Sequence, residues 1–303
     1  MADIRPLDGR TAVVTGAARG LGAGLAHQLA ARGMRVALLG RDAATLAEVA
    51  ATLPTEAGVY EVDVTDDRAM ERTAREAERA LGPPSVVVAN AGVAEGGPFA
   101  SSDPATWRRV IEVNLVGSAI TARSFLPGLT RTRGYFLQIA STAAFGAAPM
   151  MSAYCASKAG AESFARSLRA EQAPYGVAVG VAYLHWTDTS MIHDVDRHPV
   201  LRDLRAQMPR PARRIHPVDQ VASWIAQGVD RRSATVYAPP WLRLAQAARP
   251  LFPPAVTLLS RRRLSRLPDT PLEQTGLLGH GGRIETDHLA RTHGSDPAPP
   301  SRP

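Results

Sequence analysis

The stretch TGAARGLG, Thr15 to Gly22, decides how the rest of the chain is read. It follows a short β-branched run, TAVVT (11–15), and opens a helical pattern in which Leu21, Leu25 and Leu29 fall on one face. Gly16, Gly20 and Gly22 in a strand-to-helix turn permit a tight bend and let backbone amides at a helix N-terminus come close to a pyrophosphate. Gly33 stands where that helix should end, as its C-terminal cap. The same alternation continues outward. Apolar runs RVALL (35–39), GVYEVDV (58–64), SVVVAN (85–90), GYFLQIAS (134–141), GVAVGVAY (176–183) and ATVYA (234–238) are separated by segments long enough to be helices. Continuous apolar strands between helices predict an α/β fold, a doubly wound parallel sheet covered on both faces. Asp103 followed by Pro104 predicts the start of a helix running through Trp107 and Asn114 toward Leu129.

A chain of 303 residues with 45% hydrophobic content accommodates one large domain, placed at 1–240, with appendages. Cys155 is the only cysteine, which excludes an internal disulfide framework and a cysteine metal cluster; no metal site is expected. The start, MADIRPLDGR, has no apolar secretory core, and no run approaches the ~20 apolar residues of a membrane-spanning helix, so a cytoplasmic location is expected. The net charge of +7 is unevenly placed: residues 197–266 hold 14 arginines against Asp203, Asp219 and Asp230. With no DNA-binding motif or aromatic-basic interleaving, nucleic acid is not an expected partner. Beyond the last strand, 241–268 is apolar and basic and is broken by Pro250, Pro253 and Pro254. Lid or subunit interface is the leading expectation for it, with peripheral contact on an anionic membrane surface through 241–267 as the alternative. From 269 to 303 the composition turns to Pro, Gly and polar residues and reads as a disordered tail.

One further stretch is chemically unusual. In YCASK, Tyr154 to Lys158, the lysine is the only one in the chain, beside 34 arginines. Arginine is a planar fork, whereas lysine is a compact ammonium that serves several partners in close quarters. Tyr154 lies four residues earlier, one helical turn away on the same face. A cation there would lower the phenol from its usual pKa of about 10 toward the range of an acid/base catalyst.

Taken in order, TGxxxGxG, Asn90-Ala91-Gly92 after the fourth strand, Asn114, Ser141 after the fifth strand and Tyr154-x-x-x-Lys158 resemble the short-chain dehydrogenase/reductase family over about residues 8–238. The resemblance implies a Rossmann-type sheet and a nicotinamide cofactor. It implies Tyr154 as the acid in reduction or the base in oxidation, and Lys158 as its partner that also holds the nicotinamide ribose. Ser141 would donate to the substrate carbonyl oxygen, and Asn114 would position a proton-relay water. Cofactor contacts carried over in the same way are Gly16, Arg19, Gly20, Leu21, Gly22, Asp63, Val64, Asn90, Ala91, Gly92, Tyr154, Lys158 and Thr189.

The cofactor expected is NADP. An acidic residue at the end of the second strand would accept the ribose hydroxyl of NAD, but LLGRD offers Gly40 and then Arg41. Arg41 and Arg19 resemble the family's pair for a 2′-phosphate. After the sixth strand Leu184 and His185 occupy the places where the family usually has Pro-Gly. Met191, Ile192, Val195, Val200, Leu201, Leu204 and Met208 suggest an apolar acceptor site. The expected activity is the interconversion of a ketone or aldehyde with an alcohol on a small hydrophobic substrate. The alternatives are a reductase of carrier-bound 3-oxoacyl thioesters and a non-catalytic NADP-responsive binding protein. The family also implies a homodimer or homotetramer built through the Asn114 and Tyr154 helices.

Overall fold

The computed structural model describes residues 7–146, 148–206, 208–264, 274–283 and 286. Its strands β1 (Thr11–Thr15), β2 (Arg35–Gly40) and β3 (Ala57–Glu61) alternate with α1 (Gly20–Ala30), α2 (Ala43–Thr52) and α3 (Asp67–Leu81). Then come β4 (Pro84–Ala89), α4 (Pro104–Ile111), α5 (Gly117–Thr132), β5 (Tyr135–Ser141), α6 (Ser152–Gln172) and β6 (Ala178–Leu184). After β6 the short helices α7 (Ser190–Arg197), α8 (Pro199–Ala206) and α9 (Arg210–Arg213) lead to α10 (Val218–Asp230) and β7 (Thr235–Ala238). The chain continues through α11 (Leu242–Ala247) and α12 (Phe252–Leu264). The seven strands form one parallel sheet in the order β3-β2-β1-β4-β5-β6-β7.

The continuous apolar strands serve two cores, because alternate residues face opposite sides of the sheet. Val14, Val86 and Val88 pack with Leu25 and Leu29 of α1 and with Val221 and Ile225 of α10. Val13, Val87 and Phe136 pack on the other face with Met70 of α3, Phe125 of α5 and Leu168 of α6. Gly33 ends α1 as the sequence suggests: it sits at φ +79°, its amide bonds to Ala30 O at 2.9 Å, and the Met34 amide reaches back to Leu29 O at 3.2 Å.

The structure departs from the sequence reading in three places. The third strand stops at Glu61 rather than 64, because the Asp63 carboxylate turns the chain by accepting from the Thr65 amide at 2.9 Å. The helix begun at Asp103, whose carboxylate caps Thr106 N at 2.9 Å, does not run unbroken to Leu129. A π-helical turn over Glu112–Val116 interrupts it, centred on Asn114. Residues 241–252 lie against the body of the domain: Leu242 is fully buried, and Trp241 and Phe252 pack against the core. Within the tail read as disordered, residues 274–283 hold defined places against the body of the domain. The rest of 269–303, apart from residue 286, lies outside the described residues, as does 265–268.

Candidate active site

Sheet order reverses between β1 and β4, the place where a doubly wound sheet opens a crevice at its carboxyl ends. Here two short side chains bond to backbone and hold the crevice. Thr15 Oγ1 accepts from the amides of Asn90 and Ala91 at 3.0 and 3.1 Å, and Asn90 Nδ2 donates to Thr15 O at 2.9 Å. Gly16 sits at φ +64°, and a Cβ on Gly22 would lie 2.0 Å from the Gly16 carbonyl oxygen, so no side chain fits. No side chain caps the N-terminus of α1; its residue before the first turn, Arg19, is fully extended at φ −164°. The turn therefore presents α1's first amides to the crevice.

Every residue chosen as a cofactor contact, together with Ser141, lines one cavity of about 290 Å³. Asn114 does not. It is fully buried behind the cavity, where Oδ1 accepts from Val93 N at 2.8 Å and Nδ2 donates to Val93 O at 2.8 Å and Ser157 Oγ at 2.9 Å. Its side chain clasps the loop after β4 to α6.

At one end of the crevice, charges are paired across the ends of β2 and β3. Arg19 Nη2 bonds Asp42, the N-cap of α2, and also Thr45 Oγ1 at 3.2 Å. Thr45 donates twice to Asp42, which with Arg19 outweighs burial and holds the carboxyl below its usual range. Arg41 Nε lies 3.8 Å from Asp63 Oδ2, and Arg109 Nη2 lies 2.5 Å from the same oxygen. Burial opposes ionisation of Asp63, yet Thr65 and Arg109 prevail and lower its pKa. Arg109, buried on α4, escaped the sequence reading because one more arginine in an arginine-rich chain carries no signal.

At the other end lie Tyr154, Lys158 and Ser141. Lys158 Nζ is 5.8 Å from the centre of the Tyr154 ring and donates to Ile139 O at 3.3 Å. Burial pushes the phenol up to about 12, partly countered by the Ser141 hydroxyl and reinforced by Cys155. Burial alone pulls Lys158 down to about 8. Enclosure favours the neutral form of each group, raising the phenol and lowering the ammonium.

His185 also lines the cavity. Its Nε2–H donates to the Ala212 carbonyl, leaving Nδ1 to accept from Thr142 Oγ1 at 3.1 Å. Trp186 Nε1 donates to the same carbonyl at 3.0 Å, and Trp241 stands edge-on to the imidazole at 5.6 Å between centres. Burial lowers His185 to about 4, so the ring is neutral near pH 7. The residue in the place of the family's glycine therefore ties β5, the helices after β6 and the C-terminal extension together. Of the apolar acceptor candidates, Met191, Val195 and Leu201 gather in one cluster with Tyr154 and Trp186, while Ile192 lines the cavity. Met208 is outside that cluster, and the Val200 and Leu204 side chains lie outside the described residues. Leu278 and three glycines, Gly279, Gly281 and Gly282, also line the cavity and went unnoticed in the sequence; the run LLGHGGR was their only signal.

The family model for short chain dehydrogenase matches residues 10–199. A protein of Xanthobacter autotrophicus described as an inactive 2-(S)-hydroxypropyl-CoM dehydrogenase is 37% identical over 49% of this chain and 65% of its own length. The chain thus spans less than two thirds of that relative. Galactitol 2-dehydrogenase (L-tagatose-forming) of Cereibacter sphaeroides is 35% identical over 64% of this chain and 78% of its own. Among solved structures, a metagenomic short-chain oxidoreductase in complex with NADP is 34% identical, with a TM-score of 0.57 over 59% of this chain and 83% of its own. A short-chain type dehydrogenase/reductase from Mycobacterium marinum shares the fold, with 21% identity and a TM-score of 0.70 over 78% of this chain and 96% of its own.

Proposed function

Because the chain belongs to the short-chain dehydrogenase family, we propose that it is an NADP(H)-dependent oxidoreductase interconverting a ketone or aldehyde with an alcohol on a hydrophobic substrate. The observation that carries this reading is the meeting, in one cavity, of a glycine turn at a helix N-terminus with Ser141, Tyr154 and Lys158. The residues fit a dinucleotide: the cradle at Gly16 and Gly22 excludes any side chain, and the uncapped start of α1 suits a pyrophosphate. Asn90, Ala91 and Gly92 would line it, Asp63 and Val64 would flank the adenine, and Thr189 would hold the carboxamide. Arg19 and Arg41 favour NADP, each turning from its carboxylate to a 2′-phosphate.

When bound, the nicotinamide supplies or accepts the hydride. Everything else falls to the chain. In reduction Tyr154 gives its proton to the carbonyl oxygen as the carbon gains the hydride, and Ser141 donates a hydrogen bond to that oxygen as negative charge gathers there. Lys158, 5.8 Å from the ring, stabilises the phenolate left behind.

The test is a screen of NADPH oxidation over aliphatic, aromatic, steroid and thioester-linked ketones. Turnover of an apolar free ketone supports the proposal; turnover of carrier-bound thioesters alone makes the chain a 3-oxoacyl reductase. NADPH binding with no turnover at all makes it a binding protein. Assembly as a dimer or tetramer through α5 and α6, read from the family, is tested by sedimentation. No helix among the described residues is long and apolar enough to cross a membrane. Leu244, Leu251 and Leu258 leave exposed apolar side chains on the outer face of the extension. Lost oligomerisation in a triple Leu→Ser variant assigns that face to a subunit contact, and lost co-sedimentation with anionic vesicles assigns it to a membrane surface.

A further inference from the structure

The segment 274–283 returns to the catalytic cleft from well beyond the last strand and bridges its two lips. On one side Thr275 N donates to Gly96 O at 2.9 Å, Gly96 N donates to Thr275 Oγ1 at 2.7 Å, and Leu278 N donates to Ala94 O at 2.8 Å. Leu277 pairs antiparallel with Glu95 in the same stitch. On the other side Asp194 of α7 accepts from Gly279 N at 2.8 Å and from Arg283 Nη1 at 2.8 Å, and Ser190 Oγ accepts from His280 N at 3.2 Å. Both partners have shed side chains to allow this approach. Gly97 sits at φ +140°, where a Cβ would lie 3.1 Å from Gln274 Cα. Gly279 sits at φ +80°, where a Cβ would lie 3.1 Å from the Met191 backbone.

The seat this creates is specific. Leu278, 3% exposed, belongs to an apolar cluster with Ala94, Val195 and Leu201, against which Met150, Met151, Tyr154, Trp186 and Met191 pack. It also lines the cavity that holds Tyr154 and Lys158. An apolar wall beside the phenol accepts apolar substituents on the reacting carbon, since a polar group there would lose its water without a partner. The methionines in that wall are unbranched and adapt to what they touch. Leu278 is branched, and its backbone is held on both sides. We propose that Leu278 is a specificity-determining residue: delivered by the C-terminal strap, it sets the size limit of the apolar substituent that reaches Tyr154. The proposal rests on the oxidoreductase reading above and adds a substrate selector to it.

The experiment compares the full-length wild type with Leu278→Ala and Leu278→Phe on a homologous series of aliphatic methyl ketones, measuring kcat, KM and the NADPH dissociation constant. For Leu278→Ala the preferred chain length increases, and kcat/KM for the longest ketone relative to the shortest rises about tenfold or more, the scale of one to a few methylenes in an apolar pocket. Leu278→Phe shifts the preference the other way, while NADPH binding stays within about twofold in both. Asp194→Asn, which loosens the strap, broadens the preference in the same direction as Leu278→Ala. A uniform change across the series, or none, overturns the proposal. Leu278→Val keeps the test available should the alanine variant not fold. Tryptophan-fluorescence titration of the same ketones on NADPH-loaded protein reads the size limit without turnover. A wild type inactive on every ketone would therefore sink the oxidoreductase reading, and the titration would still decide the role of Leu278.

Discussion

The wall of the cleft under β1 and β4 is made of backbone, whereas the wall beside Tyr154 is made of side chains drawn from stretches far apart in the chain. Gly16 and Gly22, with the strand ends tied by the Thr15 and Asn90 side chains, build the first from local geometry that tolerates almost no substitution. Met150, Trp186, Met191 and Leu278 build the second by packing, in which one apolar residue stands in for another. Backbone geometry leaves a fixed pattern in sequence; packing leaves only composition.

The strongest way to sharpen this contrast is to remove a single atom from the side-chain wall. Tyr154→Phe should lower turnover by about a thousandfold, within the range for loss of a positioned acid, while NADPH titration stays within about twofold. Lys158→Arg should also fail, because the planar fork replaces a buried ammonium that now fits beneath Ile139 O. An active arginine variant would break the account of the lone lysine. In the backbone wall the smallest possible addition should also do harm. Gly22→Ala should weaken NADPH binding at least about tenfold and cost about 1–3 kcal/mol in urea unfolding, since its Cβ would meet the Gly16 carbonyl.

The third prediction lies between the two walls. Replacing Gly40 with Asp and Arg41 with Ser should move preference from NADPH toward NADH by about tenfold, about one charge-assisted contact exchanged for another. A Cβ at Gly40 makes only ordinary contact with Leu46, the nearest atom at 3.5 Å. Equal or tighter NADH binding by the wild type would defeat the assignment. The smallest effect concerns pH. His185 is lowered from about 6.5 to about 4, so the unfolded chain binds the extra proton first; stability is present above about 6.5 and is lost as pH falls toward 4. Thermal melts should show that loss reduced in His185→Gln, which keeps a donor for the Ala212 carbonyl.

What the sequence disclosed follows the same division. The strands, the capping of α1 by Gly33 and the glycine turn were legible because each has a periodicity or a required φ. Asn114 was visible as a residue but not as a clasp, since its partners Val93 and Ser157 are backbone and hydroxyl groups with no pattern of their own. Segment 274–283 was illegible for a different reason. Its glycines, which look like the mark of a disordered tail, are the condition for close docking against Gly97 and Met191. Helical spacing gives the proximity of Lys158 but not the enclosure that raises the Tyr154 phenol.

The solitary lysine has a practical use. With its pKa near 8, a good fraction of the Lys158 side chain carries a nucleophilic lone pair under mildly alkaline conditions, and no other side chain in the protein is a primary amine. Reductive methylation with formaldehyde should therefore mark one interior position, read as a single mass increment on the peptide spanning 154–166. Because that position is only 5% exposed and lines the cleft, its labelling rate becomes a gauge of how often the cleft opens, and of what occupies it.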